Sequence, residues 1–230
     1  MTIGVITAEE KEMLAVRNLM DCYVETTISN LIFYDGSING IGIILCESGV
    51  GKVNAARTVQ CLVDYYKPID YLINVGVAGG IDDSLKIGDI VVGDRLIQYD
   101  FDATKVGNYE IGEICGLGTK YFNSDVKLVD FLMSLELGTN ITKGLIGSAD
   151  LFLSDRDRAK MLNTEMGIKC VEMEGASIAQ VATLNRIPFV VIRGISDVQN
   201  DNNKIDFDLY LETVSIQVAD IFRKILTYFA

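Results

Sequence analysis

Residues 188–197 read PFVVIRGISD: a proline, a nearly unbroken β-branched apolar run, and then Arg193, Ser196 and Asp197 at its end. A run that is apolar at almost every position, not every second one, suits a strand covered on both faces. Pro188 precedes it, where a missing N–H does little harm. Comparable runs recur at TIGVIT (2–7), IGIILCES (41–48), YLINVGV (71–77), GDIVVGDRLI (88–97), GLIGSA (144–149) and IKCVEM (168–173). Amphipathic stretches separate many of them. Residues 51–66 follow a glycine-rich turn with helical spacing, and 206–228 carry Leu211, Val214, Val218, Ile221, Ile225 and the adjoining Phe229 in steps of three and four. No Ser/Pro-rich linker, repeat or charge block divides the chain. The pattern predicts one three-layer α/β/α domain over residues 1–230.

Composition bounds what a site here could be made of. Of the 230 residues, 49% are hydrophobic, ample for a buried core. Twenty basic against 32 acidic residues leave a formal charge of −12, which repels nucleic-acid backbones and anionic membranes alike. No apolar run approaches the ~18 residues of a membrane span, and MTIGVITAEEKEM lacks a basic leader or a cleavage site. The expectation is a soluble cytoplasmic protein with no export signal. Cys22, Cys46, Cys61, Cys115 and Cys170 are odd in number and scattered, without a C-x-x-C pair for zinc or redox work. They read as reduced core residues. The chain has no histidine, so acid–base chemistry would fall to carboxylates.

Open α/β sheets bind ligands beyond the carboxyl ends of their strands, and the unusual polar and glycine-rich clusters lie at such ends. Ala8, Glu9 and Glu12 follow the first run; SGVGK (48–52) follows the second; VGVAGG (75–80) follows YLIN as a candidate loop. Asp150 and Phe152 come after GLIGS, Glu172, Met173 and Glu174 close the next strand, and Ser196 and Asp197 close PFVVIRG. ESGVGKV is not a Walker A loop, because Cys46 replaces its first glycine and Val53 its magnesium-binding Ser or Thr. Nor is GVGKVN a dinucleotide fingerprint, since Asn54 stands at the third glycine position. These glycines either ease a turn into a helix or let backbone approach a ligand.

The carboxylates carry structural readings beside chemical ones. Glu9, Glu10 and Glu12 open a helix, where acids meet its dipole favourably, though Glu12 lies one turn inside the crevice. Glu172 and Glu174 differ by two positions and would project to one side of a strand end, where like charges repel unless a cation or a hydroxyl-rich ligand intervenes. Arg193 is the natural partner for a buried ion pair with Glu172, which leaves Glu174 to face a ligand. Met173 and Phe152 serve equally as core, and Asp197 equally as an N-cap or Asx-turn residue.

VEMEGASIAQVA (171–182) followed by FVVIRGISDV (189–198), with SGVGKVNAA, VGVAGG and EEKE upstream, resembles the bacterial 5′-methylthioadenosine/S-adenosylhomocysteine nucleosidases of the nucleoside phosphorylase superfamily. The resemblance runs from the first strand to the last helix. It implies a mixed, partly barrel-like central sheet, a homodimer, no cofactor and no metal, and an adenine nucleoside as the small-molecule partner. It also implies roles. Asp197 would protonate adenine N7, held by Ser196; Glu12 would activate water, with Arg193 nearby to orient it; and Glu174 would take the ribose hydroxyls. Met173 would line the sugar, and Phe152 and Phe207 would sandwich adenine. Ala8, Glu9, Val50, Val77, Ala78, Gly79, Leu153, Val171 and Glu172 would complete the substrate pocket, with Ala103 and Val106 reaching a neighbouring subunit's 5′ pocket.

A free aspartate, titrating near ~3.9, is a poor proton donor at neutral pH, so the role assigned to Asp197 requires burial. Hydrolysis is favoured over phosphorolysis because a phosphate dianion calls for arginine forks, and the crevice clusters offer only Arg193 and Lys52. The sequence departs from the family pattern at Glu9, where methionine is usual, at Val77, where Ser or Thr is common, and in DFDATKVGN, which lacks the usual interface phenylalanine. Those departures leave the 5′ substituent open. A nucleoside phosphorylase and a non-catalytic binding protein on the same fold are the competing readings.

Overall fold

The computed structural model describes residues 1–198 and 203–229. Its elements are β1 (Thr2–Thr7), α1 (Glu10–Arg17), β2 (Cys22–Ile28), β3 (Leu31–Ile38), β4 (Ile41–Glu47), α2 (Lys52–Tyr65), β5 (Tyr71–Gly80) and β6 (Ile90–Gln98). The two-residue β7 (Phe122–Asn123), α3 (Val126–Ser134), β8 (Ile141–Ser148), α4 (Arg156–Met166), β9 (Ile168–Glu172), α5 (Gly175–Leu184), β10 (Phe189–Val198) and α6 (Asn203–Ile225) follow.

All ten strands join one mixed sheet in the order β10-β6-β8-β9-β5-β1-β4-β3-β2, with β7 beside β6. Because β10 also pairs with β5 in parallel from Phe189 to Val198, the strands β10, β6, β8, β9 and β5 close into a barrel. The ten-residue β5 makes this possible. Its first half lies between β1 and β10, and its last two residues, Gly79 and Gly80, keep β10 on one side but take β9 in place of β1 on the other. The β1-β4-β3-β2 wing extends outward from the barrel.

The apolar run that opens β10 has a partner layer on each side. Val190 and Ile192 belong to a core with Val214, Val218 and Phe222 of α6. Val191 belongs to the opposite core, with Val59 and Leu62 of α2 and Ile178 and Ala182 of α5. A Cβ on Gly194 would stand 2.3 Å from Val214 Cγ1, so α6 lies directly on the β10 backbone.

Three sequence expectations need correction. VGVAGG is the second half of β5, not a loop after it, because the closing barrel supplies strand partners there. The β2–β3 hairpin was not foreseen: CYVETTI in β2 is exposed along nearly its whole length and lacks an apolar face. Of the five cysteines, all of them free, Cys46 and Cys170 are buried, but Cys22 and Cys115 are exposed.

Candidate active site

A cavity of about 240 Å³ opens where the carboxyl ends of β1, β4, β5, β9 and β10 converge. Ala8, Glu9 and Glu12 form its wall after β1; Val50 comes from the turn before α2; Val77, Ala78 and Gly79 come from β5. Leu151, Phe152 and Leu153 follow β8, the stretch Val171–Glu174 runs from β9 into α5, and Ser196, Asp197 and Phe207 complete the enclosure.

Adjacent residues on a regular strand point to opposite faces, yet Ser196 and Asp197 both line this cavity. A bulge is the reason. The register of β10 against β5 steps from Ile195–Ala78 to Asp197–Gly79, leaving Ser196 as the extra residue and turning both side chains inward. Glycine at 79 leaves room for this, since a Cβ there would meet Asp197 Oδ2 at 3.1 Å. Ser196 Oγ donates to Asp197 Oδ1 at 2.9 Å. Asp197 is only 2% exposed. Burial pushes its carboxyl up to about 6, with the Ser196 hydroxyl opposing the rise and the charge of Asp206 adding to it. Asp197 sits within β10 and not at a helix N-terminus, so it is not an N-cap.

Glu12, in the first turn of α1, is buried and held by backbone. Its Oε2 accepts from Ala8 N at 2.8 Å and Glu9 N at 3.0 Å, and its Oε1 accepts from Val77 N at 2.9 Å. Desolvation raises its pKa, against the lowering by Arg193 and these three amides. A carboxyl biased toward the neutral form but surrounded by donors to the anion is suited to taking up a proton.

Glu172 and Glu174 part company. Glu172 Oε2 accepts from Arg193 Nη2 at 2.6 Å, from Glu174 N at 3.1 Å and from Gly175 N at 2.6 Å, while Oε1 accepts from Ser148 Oγ. It thereby caps α5 and balances Arg193, as the ion-pair reading anticipated. Glu174 turns the other way and accepts from Gly51 N at 2.8 Å. Burial, aided by the charges of Glu172 and Glu12 and opposed by Arg193 and the Gly51 amide, pushes its carboxyl up to about 8.

Arg193 does not line the cavity. It is 1% exposed, its guanidinium taken up by Glu172, Asn74 Oδ1 and the Ile192 carbonyl, and it reaches Glu12 through charge across Gly76. Its place is behind the site, paired with Glu172 as the ion-pair reading anticipates and close to Glu12 without facing the cavity. Every other residue expected in the chain's own pocket lies on the cavity wall; Leu151, which adjoins Phe152 there, was missed. Met173 is half-buried on that wall. Phe152 and Phe207 meet edge to face, with centroids 5.8 Å apart, so they form one aromatic wall and do not stand apart as two plates of a sandwich. Outside the cavity, Val106 is 82% exposed, whereas Ala103 is 5% exposed and presents little surface to a neighbour. Among the described residues, no group of His, Cys, Asp and Glu side chains could hold a metal ion.

The chain that forms this cavity resembles known proteins along its length. The phosphorylase superfamily model matches residues 2–230. A 5′-methylthioadenosine/S-adenosylhomocysteine nucleosidase of Exiguobacterium sp. is 40% identical over 224 residues, covering 95% of this chain and 94% of that one. The S. pneumoniae 5′-methylthioadenosine/S-adenosylhomocysteine nucleosidase, solved with the transition-state inhibitor MT-ImmA, superposes with a TM-score of 0.94 at 31% identity over 100% of both chains. Futalosine hydrolase of Helicobacter pylori also superposes, with a TM-score of 0.93 at 26% identity over 99% of this chain and 97% of that one. The chain belongs to the phosphorylase superfamily and, within it, to the family of 5′-methylthioadenosine/S-adenosylhomocysteine nucleosidases.

Proposed function

We propose that this chain, acting as one nucleosidase domain over residues 1–230, hydrolyses the N-glycosidic bond of 5′-methylthioadenosine and S-adenosylhomocysteine, and of related 5′-modified adenosines. The observation that carries the reading is a buried aspartate titrating up to about 6 in the same cavity as two further carboxyls with distinct partners. Breaking C1′–N9 places positive charge on the sugar and sends the bonding pair into the purine. Asp197 donates its proton to adenine N7, with Ser196 fixing the carboxyl. Water adds to C1′ and loses a proton to Glu12, and Glu174 accepts the ribose hydroxyls beside the developing cation. Adenine lies against the Phe152–Phe207 wall, where stacking is worth on the order of 1–3 kcal/mol. The products are free adenine and the 5′-modified ribose.

Hydrolysis is preferred because no Arg or Lys is among the described residues of the cavity wall, and the guanidinium behind it is already engaged by Glu172. A phosphate dianion would instead meet the acidic side chains of Glu9, Glu12, Glu172, Glu174 and Asp197. The proposed setting is cytoplasmic, and no helix among the described residues is long and apolar enough to cross a membrane. The proposed assembly is a homodimer, in which Val106 of each chain approaches the other's cavity.

The test is to incubate the pure protein, without phosphate, with 5′-methylthioadenosine, S-adenosylhomocysteine, 5′-deoxyadenosine and futalosine, and to measure free base. Adenine release at a rate indifferent to added phosphate is expected. Release from futalosine alone would move the substrate assignment, a phosphorylated sugar would make the protein a phosphorylase, and no release from any substrate would leave a binding protein.

A further inference from the structure

Lys52, Asp100 and Asp150 come from three separate segments at the cavity rim and close a ring of polar contacts. Lys52 opens α2, Asp100 follows β6 and Asp150 follows β8. Lys52 Nζ lies 2.5 Å from Asp100 Oδ1 and 3.9 Å from Asp150 Oδ2. Asp100 Oδ2 accepts from Asp150 N at 3.0 Å, and Asp150 Oδ1 accepts from Lys52 N at 2.8 Å. Each carboxylate therefore joins a backbone amide of another segment to the same ammonium group. The Lys52 and Asp100 side chains are 15% and 21% exposed, so the pair is shielded far better than an ordinary surface bridge.

The ring sits one residue from Gly51, whose amide donates to Glu174. Gly51 has φ +101°, a conformation few other residues adopt, and a Cβ there would stand 3.2 Å from Asp150 Oδ1. Directly after Asp150, on the other side of the ring, comes the Leu151–Leu153 wall. Two segments of the cavity wall are thus fastened to each other.

We propose that Lys52, Asp100 and Asp150 are positioning residues that clamp the Gly51 amide onto the Glu174 carboxylate and hold the Phe152 segment opposite it. This rests on the reading that Glu174 takes the ribose hydroxyls. The charged groups facing Glu174 are Glu172 from β9, Glu12 from α1 and Arg193 from β10; the first two oppose its ionisation. Among the described residues, Arg193 and the Gly51 amide favour the anion, and Arg193 is already shared with Glu172. A loosened clamp withdraws the amide, and Glu174 then holds its proton to higher pH.

The decisive variants are Lys52→Met, Asp150→Ala and the conservative Lys52→Arg, compared with the parent by ¹³C-carboxyl NMR titration of Glu174 and by the pH profile of adenine release. Lys52→Met and Asp150→Ala are each expected to move the Glu174 midpoint upward by about one unit, with a loss of activity that deepens toward low pH. Lys52→Arg is expected to restore most of both. Asp150→Ala separates geometry from plain charge. Removing an anion would by itself lower the Glu174 midpoint, so a downward or absent shift, or a loss equal at every pH, overturns the clamp. If Asp150→Ala fails to fold, Asp100→Ala, which likewise removes an anion of the ring, carries the same prediction. The NMR titration needs no turnover, so a parent protein that releases no adenine defeats the functional reading while the clamp is still judged.

Discussion

Two carboxyls that start from nearly the same pKa in water acquire different tasks from their surroundings. Asp197 has one hydroxyl donor and deep burial, so it holds a proton up to about pH 6; Glu12 is just as buried but accepts three backbone amides. Asp197→Asn removes the transferable proton, and Glu12→Gln removes the acceptor while turning an amide NH₂ toward backbone donors. Each variant is expected to lower kcat at least ~10²-fold, and near-normal adenine release by either would sink its assigned role. The serine permits a finer test. Its hydroxyl favours the Asp197 anion, so Ser196→Ala raises the aspartate's pKa further. Because the proposed reaction uses Asp197 in its protonated form, the alkaline limb of kcat/KM is expected to move upward, by up to about one unit, even as loss of orientation lowers the plateau. A limb that moves downward would contradict the donor role.

At the level of elements, β10 and α6 set the alignment of the site, because Asp197 stands next to last in the strand and Phe207 lies in the second turn of the helix that covers it. Gly194 is the point of closest approach: a methyl would meet Val214 at 2.3 Å and Val218 at 2.6 Å. Gly194→Ala is expected to cost about 1–3 kcal/mol of stability in chemical denaturation, with a raised KM as α6 and Phe207 shift outward. An unchanged denaturation midpoint would mean that α6 yields freely there. The same pair of elements shows what the sequence could disclose. PFVVIRGIS was legible as a doubly covered strand because each of its neighbours is apolar, and Leu211 to Ile225 were legible as a helix by spacing, the helix stopping short of Phe229. Barrel closure was not legible from periodicity, since it depends on β5 serving β1, β9 and β10 at different points along its length. Nor was the bulge that turns both Ser196 and Asp197 inward, because alternation alone places neighbours on opposite faces. The site residues were reached through the strand-end rule and the family resemblance together. Whether a strand-end arginine faces a ligand or backs a glutamate does not show in sequence alone; Arg193 backs Glu172.

Across the whole molecule, the site's carboxyls tie stability to pH. Asp197 rises from an ordinary 3.8 to about 6, Glu174 rises from 4.5 to about 8, and Glu12 is raised as well. Between the unfolded and folded values of each group, the native state binds more protons than the unfolded state, so the stability from the raised pKa is full below the unfolded value and lost as pH rises through the folded one. For Asp197 this amounts to about 3 kcal/mol. Asp82 acts in the opposite sense, but its value, lowered to about 2, confines its effect to stronger acid. The ligand-free protein is therefore expected to melt at least ~5 °C higher near pH 5.5 than near pH 8. The formal charge of −12 pushes the same way, since self-repulsion also grows as acids ionise. The variants tell the two causes apart. Asp197→Asn and Glu174→Gln together remove two titrating sites but leave nearly all of the surface charge, so they should flatten the dependence if the site is its source. A slope unchanged in the double variant, or a higher melting temperature near pH 8 in the parent, would place the origin of the pH dependence outside the cavity.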